Sequence, residues 1–191
     1  MNPLELAAAL LGVANVVLVV RRSIWNYPFG IAMVSLYFFV FTDARLYADA
    51  LLQIFFLLIQ IYGWRNWSRS RSATGEVAVE RLAWSARGWW LVATAAASLG
   101  CGAALAHLTD AAAPYADATV AAFSVSAQAL LALRKVETWV LWIGVDVLAV
   151  GLFLSRSLAI TAALYALFLL LATAGLLAWT RRLHAAQGGP A

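Results

Sequence analysis

Charge is scarce in this chain. Asp, Glu, Lys and Arg make up 12% of its 191 residues, about half the share carried by soluble domains. Cysteine occurs once, as Cys101, which excludes an internal disulfide; the residue reads as a small side chain in a helix. Histidine occurs twice, at His107 and His184. No HExxH, CxxC or paired-His spacing is present, so no metal site and no cofactor is expected. The alternating segments of a transmembrane β-barrel are absent. A net charge of +4 in such an apolar chain reflects loop arginines, not nucleic-acid binding. The first apolar run, Leu4 to Val20, lacks a basic leader and is followed by Arg21 and Arg22. It therefore reads as a retained span and not as a signal peptide.

What the chain has instead is apolar length. Hydrophobic residues account for 64%, and mean hydropathy is +0.85. Runs of about 20 apolar residues recur throughout, the signature of an all-α polytopic membrane protein. Seven spans are expected, at 4–20, 24–42, 46–66, 88–108, 116–133, 138–155 and 158–180. Pro28 falls in the first turns of the second span, where proline is tolerated. Thr42-Asp43-Ala44-Arg45 reads as a turn, residues 68–87 as the one sizeable polar linker, and Thr109 to Tyr115, with Asp110 and Pro114, as a loop. The tail from Arg181 is expected to fray. Eleven of the basic residues fall on one side of this layout and two, Arg45 and Arg156, on the other. The bias places the N-terminus outside and the C-terminus in the cytoplasm.

The most informative stretch is Leu46 to Trp67, LYADALLQIFFLLIQIYGWRNW. Asp49, Gln53 and Gln60 lie inside it, on one helical face. An Asp at mid-bilayer costs roughly 2.5–3.5 kcal/mol on insertion scales, so such residues persist where they pair or bind something. Asp49, near the outer end, reads as access or capping. The second half has matching polar positions. Asp117, Ser124 and Gln128 share a stripe, and Trp139, Trp142 and Asp146 share a face. Tyr165 lies inside the last span, and Glu137 stands beside Lys135. The glutamines also fit interhelical hydrogen bonds, and Asp146 also fits helix glue. Trp64, Trp67 and Trp179 are expected in an aromatic belt at the boundary. Gly30, Gly63, Gly144 and Gly175 are expected to permit close helix packing. A lining of amides, aromatics and one deep carboxylate suits a small, planar, partly cationic solute with hydroxyls.

The chain also repeats itself. Arg21, Trp25 and Gly30 map onto Lys135, Trp139 and Gly144 at one offset, and Gly63-x-x-x-Trp67 onto Gly175-x-x-x-Trp179 at an offset two residues shorter. Each half then holds three spans in the same orientation, with one span between them. The expected divisions are 1–67, a first three-helix repeat; 68–87, a cytoplasmic linker; 88–108, a connector; 115–181, a second repeat; and 182–191, a cytoplasmic tail.

These residues carry a family likeness. WNYPFG followed by LYADALLQIFFLLIQIYGWRNW resembles the first repeat of PnuC-type vitamin transporters. DATVAAFSVSAQALL followed by KVETWVLWIGVDV, Tyr165 and Gly175-x-x-x-Trp179 resembles the second. The resemblance implies a 3+1+3 fold of SWEET-like repeats, a homotrimer in the inner (plasma) membrane, and no enzymatic activity. It implies facilitated diffusion of nicotinamide riboside, trapped by a separate cytoplasmic kinase. It further implies substrate contacts from Gln53, Gln60, Gln128, Trp142, Asp146 and Tyr165. Members often carry Asn where this chain has Gln60, and related branches carry thiamine, riboflavin or deoxynucleosides. Readings of a different class are a structural membrane subunit and an intramembrane enzyme; for the latter, neither histidine is suitably placed.

Overall fold

In the computed structural model, residues 3–43, 45, 47–109, 113–155, 157 and 159–187 are described. Expectations for Ala44, Leu46, Asp110, Arg156, Leu158 and the tail from 188 lie outside them. The described residues form seven α-helices: α1 (Pro3–Val20), α2 (Asn26–Asp43), α3 (Tyr47–Thr74), α4 (Trp84–Leu108), α5 (Pro114–Ala132), α6 (Glu137–Ser155) and α7 (Ala159–Gln187). Three segments, Trp84–Leu108, Glu137–Ser155 and Ala159–Ala186, are long and apolar enough to cross a membrane; Leu6–Val20 is a shorter apolar helix.

Several helices outrun their apolar segments. The sequence RNWSRSRSAT contains no breaker, so α3 continues through Thr74 and stops where Gly75 adopts φ +78°, a conformation favouring glycine. The non-helical linker is therefore 75–83, not 68–87. Likewise Arg181 and Arg182 belong to α7 and not to a frayed tail.

Six helices close a ring. α1 packs on α2, α2 on α3, α3 on α5, α5 on α6, α6 on α7, and α7 returns to α1. α4 stands outside, against α5. Its buried face is Thr94, Ser98 and Gly102, spaced four apart. Thr94 Oγ1 lies 2.6 Å from Ser126 Oγ, and Ser98 Oγ lies 2.7 Å from Thr119 Oγ1. A methyl group at Gly102 would come within 2.5 Å of the Tyr115 ring. Small and hydroxylated residues thus bring these two backbones together where apolar burial offers no driving force in lipid.

Features of α1–α3 recur in α5–α7 at a spacing of 112 residues. Non-glycine residues with positive φ occur at Arg22 (56°) and Arg134 (59°), and at Arg45 (59°) and Ser157 (58°). Gly63 faces the Tyr27 ring as Gly175 faces Trp139. Trp67 Nε1 donates to the Leu131 carbonyl at 3.0 Å, and Trp179 Nε1 to that of Val19 at 3.3 Å. This spacing differs from the offset read from Arg21 and Trp25. Trp25 is 63% exposed, whereas Trp139 is 2% exposed; the residue filling the equivalent space is Tyr27. The aromatic-belt expectation also needs correction. Trp67 and Trp179 are fully buried, and only Trp64 of the three reaches the surface. Four glycines were expected at close contacts. Gly30, Gly63 and Gly175 are there, but Gly144 faces open space.

Candidate functional site

The helix ring encloses a cavity of about 370 Å³, within the size range of small-molecule sites. Gln53, Gln60, Gln128, Trp142, Asp146 and Tyr165 all line it. Asp49 and Asp117 do not; Asp49 sits in the first turn of α3, where a carboxylate complements the helix dipole.

The cavity has two chemically distinct ends. One is aromatic. Phe153 stacks on Tyr165 at 5.2 Å between centroids, and Tyr165 meets Phe168 edge-on at 6.0 Å. The other end is rich in amides. Gly30 makes this possible, because a methyl group there would overlap the Gln60 amide and approach Asn15 Nδ2 to 2.8 Å. Asn15 donates that Nδ2 to the Asn26 carbonyl at 2.6 Å. Gln60 Oε1, Gln128 Nε2 and Trp139 Nε1 are buried without a hydrogen-bond partner. Buried polar atoms are nearly always paired; these three belong to residues that line one cavity. A half-turn about the Cγ–Cδ bond swaps the positions of the amide oxygen and nitrogen, so either glutamine can present donor or acceptor.

Between these ends lies Asp146, 3% exposed. Among the described residues it forms no hydrogen bond or ion pair, and no Lys, Arg or His lines the cavity. Helix glue would require a partner on a neighbouring helix, and none is present among the described residues.

Lining residues outside the sequence-based set include Asn15 and Trp139. Asn15 is a lone amide in an apolar run, and that isolation was the available signal. Trp139 was placed on the Asp146 face but not among the contact residues.

The floor at the amide end is formed by Val19, Leu131, Trp139 and Ala172. Beneath it Trp67, Trp179, Tyr27 and Val77 complete a buried cluster. Trp67 meets Trp179 at 5.8 Å, Trp139 meets Trp179 at 5.4 Å, and Tyr27 meets Trp67 at 5.4 Å.

An all-helical membrane protein closed around a largely apolar cavity with a few polar side chains is the class these features define. A family model described as Nicotinamide mononucleotide transporter matches residues 2–181, and the chain belongs to that family, which is one of transporters and not of enzymes. Among its relatives, the nicotinamide riboside transporter PnuC of Neisseria mucosa is 35% identical, the match covering 76% of this chain and 57% of that protein. The chain therefore spans little more than half the length of that relative. The riboflavin/roseoflavin transporter RibM of Streptomyces davaonensis is 26% identical over 93% of this chain and 84% of its own. A crystal structure of the vitamin B3 transporter PnuC superposes with a TM-score of 0.76 at 28% identity, covering 94% of this chain and 83% of that one.

Proposed function

We propose that this chain is a membrane transporter that admits nicotinamide riboside by facilitated diffusion through the cavity. The observation that carries the reading is Asp146: a buried carboxylate in a cavity whose lining, among the described residues, contains no cationic side chain. A pyridinium cation supplies the missing charge. Aromatic side chains stack on its ring, and the unpaired amides match a carboxamide and ribose hydroxyls. The same charge balance favours the riboside over the mononucleotide, whose phosphate would meet Asp146 and no cation. Gln53, Gln60, Gln128, Trp142, Asp146 and Tyr165, with Asn15 and Trp139, are the proposed contacts. Riboflavin is a second reading, favoured by the likeness to the RibM transporter and by the aromatic end, but it leaves Asp146 uncompensated. Thiamine, also cationic and aromatic, remains in the test panel.

The proposed architecture has seven spans. α1–α3 and α5–α7 are two parallel repeats of the three-helix, SWEET-like kind, with α4 as connector; the recurrent 112-residue spacing supports this. The arginine bias supports an external N-terminus and a cytoplasmic C-terminus, in the inner membrane. The resemblance also supports a homotrimer and capture of the product by a separate cytoplasmic kinase.

The test is uptake into sealed proteoliposomes. Labelled nicotinamide riboside should equilibrate without accumulating. Uphill uptake driven by a proton or sodium gradient would overturn facilitated diffusion. Uptake of riboflavin or thiamine in preference would overturn the substrate.

A further inference from the structure

The linker crosses the floor of the cavity as an extended strap. Val77 is 3% exposed and belongs to the same buried cluster as Trp67, Trp139 and Trp179. Whatever leaves the cavity at this end must displace that cluster, and Val77 with it.

The strap is held unequally by the two sides of the ring. On the α5–α6 side the bonds involve backbone. Glu80 N–H donates to the Arg134 carbonyl at 3.0 Å, and Val136 N–H to the Glu80 carbonyl at 2.9 Å. Arg134 Nε donates to the Ala78 carbonyl at 3.0 Å, and its guanidinium and Lys135 both pair with Glu80. On the α1–α3 side the hold rests on side chains. Arg22 donates to the Val77 carbonyl at 2.8 Å and pairs with Glu76 at 2.6 Å. Ser70 Oγ accepts from Ala78 N–H at 3.0 Å. Glu76 is 61% exposed on its side chain, and exposed ion pairs are weak enough to break and re-form readily. Gly75, with φ +78° and open space around it, joins the strap to α3 and can turn there at low cost. Arg22 is itself left-handed (56°), a conformation that costs a residue bearing a Cβ about 1–2 kcal/mol. Glycine would fit that backbone better but could not reach the strap.

We propose that residues 76–80 form the moving part of a gate at this end of the cavity. Arg22 is its latch to the α1–α3 side, Arg134 its anchor to the α5–α6 side, and Gly75 its hinge. Release of substrate breaks the Arg22 and Ser70 contacts to the strap, together with the bonds from Arg134 to Asn66 of α3, and carries the strap away with α5–α6. The proposal rests on the transport reading above.

Two variants test it, both assayed with labelled nicotinamide riboside. Ser70→Cys/Ala78→Cys, in a Cys101→Ser background, replaces the side-by-side pair at the hinge with a disulfide. Oxidised, it should bind substrate with unchanged Kd while flux through proteoliposomes falls at least tenfold; reductant should restore flux. Equal flux in the oxidised and reduced forms, with the disulfide verified by mass, would overturn the gate. Glu76→Gln alters an exposed residue and should leave folding intact. Its flux should rise about two- to fivefold, the range set by an exposed ion pair, with Kd unchanged within twofold. Unchanged flux, or Kd moving in step with flux, would equally overturn it. If the Cys101→Ser parent itself fails to equilibrate the riboside, the transport reading falls and the gate with it. A gate failure alone appears only as transport indifferent to the strap.

Discussion

Trp67 and Trp179 meet 5.8 Å apart, and each donates its indole N–H to a carbonyl on an adjacent helix, α5 and α1 respectively. The acceptors, Leu131 and Val19, each also receive a turn N–H, from Arg134 and Arg22 respectively. The two junctions thus share the indole bond and the turn bond, and the α3–α5 junction adds Asn66, which donates Nδ2–H to the Ala132 carbonyl at 2.8 Å and accepts from Arg134 at 2.7 Å.

Equivalent indole bonds should have similar energetic weight. Trp67→Phe and Trp179→Phe should each lower stability by about 1–3 kcal/mol, the cost of a lost buried hydrogen bond. Thermal melts of the detergent-solubilised protein measure both. A neutral result for one and a large loss for the other would argue against two equivalent halves.

The glycines divide by what lies opposite them. A methyl group at Gly63 would come to 2.6 Å from Tyr27 Oη, and at Gly175 to 2.5 Å from the Trp139 ring. Gly63→Ala and Gly175→Ala should cost about 1–3 kcal/mol by overpacking. Gly144 has nothing within 4 Å, so Gly144→Ala should be neutral or stabilise by about 0.5–1 kcal/mol through helix propensity. The same melts separate the two groups.

That contrast marks how much was legible in the sequence. Seven helices could be read from apolar run length, and the polar residues within those runs identified the cavity lining. Helix ends were misplaced where polar helix formers continue past the apolar run, as at Asn66 to Thr74, because hydropathy reports solvent and not backbone. The repeat spacing was misread because identical letters, Trp25 and Trp139, occupy different environments, while the matching pair, Tyr27 and Trp139, shares only shape. Trp67 and Trp179 were assigned to a belt because depth along a helix does not reveal which way its side chains face. Asn15 was overlooked because its significance depends on Gly30 and Gln60 lying opposite.

Acid should loosen the strap. Hydrogen bonding to Lys135, then to Arg134, holds the Glu80 carboxyl below its ordinary value near 4.5. A lowered native pKa means that this contribution is complete above the ordinary value and lost as pH falls through the native one. Melting temperature should therefore drop on acidification below about pH 4.5, and Glu80→Gln should flatten that part of the profile. A variant profile parallel to the parent's would remove Glu80 from the account.

The amide end should govern affinity more than stability. Gln60→Leu removes a buried amide whose Oε1 has no hydrogen-bond partner, so the protein should melt no lower than the parent. Binding of nicotinamide riboside should weaken by about 1–3 kcal/mol if that amide receives a substrate hydrogen bond. Calorimetric titration alongside a melt checks both. Loss of stability with unchanged affinity would make Gln60 structural.

The central claim is that the cavity holds a cation against Asp146, and calorimetric titration of Asp146→Asn tests it most directly. At about 5 Å and an effective dielectric of about 20, the attraction is roughly 3 kcal/mol before desolvation is subtracted. A net effect of about tenfold in Kd is expected. The variant should assemble normally, bind nicotinamide riboside about tenfold more weakly, and bind the uncharged dihydro analogue as the parent does. An Asn variant that binds the cation as tightly as the parent would contradict the account.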